Sequence, residues 1–269
     1  MKIAIVQAAI GPMTLDLNVE EIFTRLEEAV LDDPEVVVLP EMWNTGFSPA
    51  DLKDSTDYRA EELKEAMATF AREHDVFLVA GSLAMTVRGA RRNRAFVFDK
   101  EGKEIARYDK AHLFPVGGES ELFASGEDAC RFTLGEIPAG LITCYDLRFP
   151  EWARLAVMGN SKILFVPMAW HLSRLSHMHL FSRARAAENQ CFVVSVNCTR
   201  REGYSAMGGG GSCIFGPGGE ELLMMDQRPG HATVDLDLGR VEEEKAFFDL
   251  WRGRRAELYG DLVDRRSMR

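Results

Sequence analysis

Short apolar runs rich in β-branched residues punctuate this chain at residues 3–9, 36–39, 76–80, 140–143, 163–166 and 191–196. Uninterrupted runs of this length read as strands buried on both faces. Between them lie longer stretches with apolar residues at helical spacing. Ile22, Leu26, Ala29 and Val30 share one face, with Asn18 as the candidate cap. Residues 58–74, 149–158, 174–189 and 239–248 carry the same signal, and Pro150 stands where a first helical turn favours proline. Lys100-Glu101-Gly102 reads as a hairpin turn between strands at 94–99 and 103–110. Gly216-Pro217-Gly218-Gly219 reads as a turn between strands at 213–215 and 221–225, and a last strand spans 231–236. Strands and helices interleave without a linker or a visible repeat. The expectation is one α/β domain over residues 1–269, with sheets covered by helices and a peripheral C-terminal tail at 249–269.

Composition narrows the function. A hydrophobic fraction of 46% with 28% charged residues is that of a globular chain and excludes collagen-like, low-complexity and disordered readings. The formal net charge of −10 argues against a general nucleic-acid or anionic-membrane binder, which needs a basic footprint. No stretch approaches ~18 uncharged apolar residues, so no membrane span is expected. Cys130, Cys144, Cys191, Cys198 and Cys213 form no CxxC pair and fit no zinc spacing. Reduced thiols, no metal and a cytoplasmic location follow as expectations, the N-terminal apolar run being too short for a signal peptide. The glycines at 208–211 lack the Lys-Ser/Thr ending of a phosphate loop. No Gly-x-Ser-x-Gly elbow occurs.

Three apolar strands end abruptly in a reactive side chain. They are Val38-Leu39-Pro40-Glu41, Arg107-Tyr108-Asp109-Lys110 and Leu141-Ile142-Thr143-Cys144-Tyr145-Asp146. Strand ends in open α/β sheets are where ligand crevices form. Each residue alone has a bland alternative: a solvated loop glutamate, a solvent-facing lysine, a buried cysteine acting as a small hydrophobe. Together they make a chemical set of thiol nucleophile, proton-shuttling carboxylate and thiol-activating cation. His112 and His171 are isolated in sequence, and His177 and His179 point to different helix faces, a poor metal pair.

These motifs, in this order and over nearly the whole chain, resemble the nitrilase or carbon–nitrogen hydrolase superfamily. The resemblance implies a four-layer α-β-β-α sandwich that pairs into homodimers or larger homo-oligomers through the helices after Cys144 and after Trp170. It implies Cys144 as nucleophile, Glu41 as general base, Lys110 as the lysine that favours the thiolate, and Glu119 as a second glutamate holding Lys110, with Glu121 the alternative. The implied reaction attacks a small-molecule amide, releases ammonia, and hydrolyses a thioester on Cys144 with water. It needs no cofactor and no nucleic-acid or membrane partner. Tyr145 and Lys110 are the implied oxyanion donors, and Trp170 a pocket wall.

The segments Asp109-Lys110-Ala111-His112-Leu113-Phe114 and 170–190 resemble the omega-amidase-like branch, which acts on 2-oxo dicarboxylic acid monoamides. Arg174 is then the candidate carboxylate ligand. For Arg148, an internal salt bridge holding the turn is favoured over substrate binding. The glycine run at 208–211 departs from the branch and opens the question of whether it lines the pocket. N-carbamoyl amino acid or nitrile hydrolysis by the same triad is the alternative, and a non-catalytic binding protein a third reading.

Overall fold

Alternation within the apolar runs decides the layering. The computed structural model describes residues 1–47, 59–116, 118–203 and 207–259. In chain order the elements are β1 (Lys2–Gln7), β2 (Ala9–Ile10), α1 (Leu15–Val30), β3 (Val36–Val38), α2 (Ala60–Glu73), β4 (Phe77–Val87), β5 (Ala90–Phe98) and β6 (Glu104–Asp109). There follow α3 (Glu119–Leu122), β7 (Cys130–Leu134), β8 (Ile137–Leu141), α4 (Pro150–Ala156), β9 (Ile163–Met168) and α5 (Leu175–Asn189). The last are β10 (Phe192–Asn197), β11 (Thr199–Arg200), β12 (Cys213–Phe215), β13 (Glu221–Met224), β14 (Gly230–Asp235) and α6 (Gly239–Phe247).

One sheet has the order β14-β1-β3-β4-β5-β6 and a second the order β13-β12-β10-β9-β8-β7. β1, β3 and β4 run parallel, as do β8, β9 and β10. In β1, Ala4 and Val6 face Ile22 and Leu26 of α1 in the core that also holds Leu63, Met67 and Phe70 of α2. Ile3 and Ile5, on the other face, join Val36 and Val38 against Phe132, Ile163, Phe165, Phe192 and Val194 of the second sheet. On that sheet's outer face, Leu164, Val166 and Val193 pack with Ala153 and Ala156 of α4 and Met178 and Ala186 of α5. The layers are α-β-β-α, as the resemblance implied. Each large aliphatic or aromatic side chain taken fully from water in these layers contributes about 1.5–3 kcal/mol.

Several local expectations are corrected. Asn18 does not cap α1 but lies inside it, buried. Its amide instead donates to the Gly11 and Asn44 carbonyls and accepts from Gly11 N–H, tying two loops to the helix. The strand expected at 76–80 runs on to Val87 and returns as β5 through Arg88 and Gly89, both at positive φ. That two-residue turn carries none of the usual Asn-Gly or Asp-Gly signal. β7 has only alternate residues buried, which hid it from a search for continuous apolar runs. The expected tail begins with backbone and side-chain ties: Leu250 N–H donates to Gln190 and Trp251 Nε1–H to the Asn189 carbonyl. Residues 260–269 of that tail lie outside the described residues. No described helix is long and apolar enough to cross a membrane.

The sheets meet at the carboxyl ends of β3 and β9, where Glu41 N–H donates to the Met168 carbonyl at 3.2 Å. That approach depends on Gly81, an irregular position in β4 with φ +62°, whose added Cβ would lie 2.0 Å from the Pro40 carbonyl oxygen. Gly81→Ala is expected to lower the unfolding free energy by about 2–4 kcal/mol, from left-handed strain plus overpacking. Gly89→Ala, at φ +81° but in open space, carries the strain alone and costs about 1–2 kcal/mol. Urea unfolding of both variants checks the difference.

Candidate active site

The turn after β3 carries Glu41 inward because its neighbours fasten it to β4. Met42 N–H donates to Ser82 Oγ at 2.9 Å, Trp43 Nε1–H to the Ala80 carbonyl at 2.9 Å, and Asn44 exchanges two hydrogen bonds with Ala84. Glu41 is thus 0% exposed, far from the solvated loop glutamate of the bland reading. Lys110 follows β6 in the same sheet, its N–H donating to the Asn93 carbonyl, and is 1% exposed. Cys144 comes from the other sheet, just past β8. It opens a 3-10 turn, Cys144–Arg148, in the left-handed conformation at φ +48° and is 7% exposed. Arg185 of α5 closes that turn by donating Nε–H to the Leu147 carbonyl at 3.0 Å.

The Lys110 ammonium lies between two carboxylates, 2.8 Å from Glu41 Oε1 and 2.8 Å from Glu119 Oε2. Glu119, at the start of α3, is buried and also accepts from Phe114 N–H at 2.7 Å. Glu121 is exposed, so the structure brings Glu119 rather than Glu121 to the lysine. Asn93 was missed in the sequence. Its Nδ2 donates to Glu41 Oε1 and to Glu119 Oε1, both at 2.8 Å, holding the carboxylates at a set spacing. It sits in the basic stretch Arg91-Arg92-Asn93-Arg94, where the one available signal was its place two and four residues before inward-facing Ala95 and Val97.

Charges in this dry site act strongly on one another. Burial pushes the Glu41 carboxyl up, and Lys110 opposes it. Burial alone would lower Lys110, but Glu119 and Glu41 outweigh it and hold the ammonium well above its usual range. Burial, with the Glu41 carboxylate adding to it, raises the Cys144 thiol well above the ordinary cysteine range, although Lys110 pulls it down. Lys110 thus acts in the direction the resemblance implied, favouring the thiolate, but burial and Glu41 together outweigh it. Among the described residues Glu41 Oε2 has no partner besides the neighbouring thiol, which leaves it free to take the thiol proton.

A narrow cavity of about 40 Å³ reaches Cys144, lined by Phe47, Phe114, Tyr145, Arg148, Trp170 and Arg174 among others. Trp170 is 4% exposed, and its buried Nε1–H has no partner among the described residues. Arg148 overturns the favoured salt-bridge reading. It makes no ion pair among the described residues and instead lies over the Trp170 ring, 4.4 Å from the centroid. Burial holds its guanidinium below the usual value, and the like charge of Arg174 adds to the effect. Arg174 is exposed at the cavity mouth, also without an ion pair among the described residues.

The glycine run packs as backbone rather than lining the cavity: a Cβ at Gly209 would lie 2.7 Å from Leu172, and one at Gly210 2.8 Å from Gln227. Met207 is its neighbour that reaches the cavity. His112 is not isolated, since its ring faces Asp146 and stacks on Phe149. His171 bonds locally to Ser173, and His179 to the Gly211 carbonyl. No group of three or more potential metal ligands occurs among the described residues.

The model of the carbon–nitrogen hydrolase family matches residues 2–246. The 2-oxoglutaramate amidase of Bacillus subtilis (strain 168) is 34% identical over 249 residues, covering 93% of this chain and 95% of that protein. The omega-amidase of Homo sapiens is 27% identical over 96% of each chain. Among solved structures, the E41Q mutant of the amidase from Nesterenkonia sp. AN1 superposes with a TM-score of 0.86 at 26% identity, covering 98% of this chain and 97% of that one. There the acetamide moiety of fluoroacetamide is covalently added at the active-site cysteine.

The opposed influences on the thiol give a signed prediction. In Glu41→Gln the carboxylate that raises Cys144 is gone while Lys110 still lowers it, so the thiol titrates at lower pH than in the wild-type protein. Thiolate absorbance followed against pH, with Cys144→Ala as the blank, reads the shift.

Proposed function

This chain belongs to the carbon–nitrogen hydrolase family, and we propose that it hydrolyses the distal amide of a small 2-oxo dicarboxylic acid monoamide to the acid and ammonia. The observation that carries the substrate class is the pair of guanidinium groups, Arg148 and Arg174, lining the cavity at Cys144 with no carboxylate paired to them among the described residues. Such groups match a carboxylate of the substrate in charge and donor geometry. Curated relatives named for 2-oxoglutaramate and omega-amide hydrolysis support the same reading.

The chemistry runs through Glu41, Lys110 and Cys144. Glu41 takes the thiol proton as sulfur attacks the amide carbon. Two of the three Lys110 hydrogens are held by carboxylates. The third, with the backbone N–H of Tyr145, is left to meet the oxyanion. Glu41 then returns the proton to the amide nitrogen, the C–N bond breaks, and ammonia leaves a thioester on Cys144. Water gives a proton to Glu41 and its oxygen to the acyl carbon. Collapse frees the carboxylic acid, and sulfur recovers the proton from Glu41. A carboxyl raised by burial suits a group that must both accept and return a proton near neutral pH.

The same set could act on a nitrile or a carbamoyl group, but the unpaired guanidiniums beside a small cavity favour an anionic amide. We extend the proposal to a homodimer joined through α4, α5 and the segment after α6. Leu155, Met158, Leu250 and Leu258 there expose apolar surface, the mark of an association face. The five cysteines are all free and buried, which suits the reducing conditions of the cytoplasm.

Wild-type protein is expected to release ammonia from 2-oxoglutaramate, and Cys144→Ala to release none. Arg148→Gln is expected to lower kcat/KM for 2-oxoglutaramate about 10–100-fold relative to neutral butyramide, the loss of one charged hydrogen-bonding partner. Equal losses on both amides would remove the carboxylate role. Carbon dioxide release from a ureido acid, or acid formed from a nitrile in preference to any amide, would overturn the substrate class.

A further inference from the structure

Asp146 is fully buried two residues after Cys144, yet among the described residues no lysine or arginine pairs with it. Its four partners come from two chain segments. Oδ2 accepts from Thr143 N–H at 2.9 Å and from the Tyr108 hydroxyl at 2.5 Å. Oδ1 accepts from His112 N–H at 2.9 Å and faces His112 Nδ1 at 2.8 Å. Thr143 immediately precedes Cys144, and Tyr108 and His112 lie two residues on either side of Lys110.

The network is anchored beyond the carboxylate. The Tyr108 oxygen receives Trp152 Nε1–H from α4 at 2.8 Å and Ala111 N–H at 3.1 Å. The His112 ring stacks on Phe149, with centroids 3.8 Å apart and 13° between planes. Cys144 and Lys110 belong to different sheets, and the apolar contacts between those sheets are not directional. A buried carboxylate is costly unless its lone pairs are filled, and a filled network of this kind fixes one geometry. Cys144 also needs its left-handed conformation held in place, a conformation unfavourable for a residue with a Cβ.

We propose that Asp146 is a positioning residue that joins the nucleophile turn to the lysine loop and so sets the approach of the Cys144 thiol to the Lys110 ammonium. Tyr108 and His112 are the levers through which it acts. The proposal rests on the reading that Cys144 and Lys110 work together.

Asp146→Asn and Tyr108→Phe test it by complementary routes. An asparagine has one acceptor oxygen, so either flip turns its NH2 group against a backbone N–H, that of Thr143 or that of His112. Tyr108→Phe removes one donor and adds no conflict, and it keeps the test informative where Asp146→Asn fails to fold. Both variants are expected to lower kcat, by roughly 100-fold and 10-fold respectively, with KM within about threefold, because misplacement of about 1 Å is costly to rate. The Cys144 thiol is expected to titrate at higher pH than in wild type, since the ammonium that pulls it down is less closely held. Folded variants with reduced thermal stability but wild-type kcat and thiol titration would overturn the proposal. The titration uses no substrate, so it decides the role of Asp146 even if the amide proposed above proves wrong.

Discussion

The ammonium of Lys110, enclosed by Glu41 and Glu119, is the contact around which the molecule is arranged. An isolated charge in such a place would be expelled or neutralised. Here the two carboxylates compensate its burial, and the Asn93 amide and the Phe114 N–H in turn donate to those carboxylates. Buried ion sets of this kind add little net stability, but removing one member leaves the others uncompensated. The partners arrive from the turn after β3, from β5, from the end of β6 and from α3. The first sheet must therefore be complete before its charges can be closed.

The second sheet brings the thiol to this set. Its nucleophile turn is held from two sides, by Asp146 toward the lysine loop and by Arg185 from α5, while the Glu41 N–H to Met168 contact joins strand ends of the two sheets. α5 consequently has two duties. Its apolar residues cover the sheet, while the buried Arg185 reaches the Leu147 carbonyl of the turn. This explains why the helix shows a poorly segregated apolar face despite a clear 3.6-residue spacing at Leu175, Met178 and Phe181.

Much of this was legible in the sequence because it depends on local pattern. Apolar runs marked the central strands, and their abrupt ends marked Glu41, Lys110 and Cys144, since a parallel strand delivers its next residues to the shared rim. What escaped depends on partners distant in sequence. Asn93 looked like one polar residue in a basic hairpin, because nothing nearby reveals that two carboxylates converge on it. Asn18 carried a cap signal, yet tertiary carbonyls claimed its amide. Arg148 had Asp146 and Glu151 close in sequence, but the turn directs Asp146 toward His112 and leaves the guanidinium on Trp170. The β4–β5 hairpin escaped because the first half of β5 is polar and its turn residues are unusual.

The left-handed, enclosed cysteine has a consequence for the durability of the enzyme. Peroxide and other oxidants attack sulfur mainly as the thiolate. Burial and the Glu41 carboxylate both raise the Cys144 thiol, which disfavours the vulnerable form. In the mechanism proposed above, the same burial that makes Cys144 dependent on Glu41 thus also disfavours sulfinic and sulfonic damage to it.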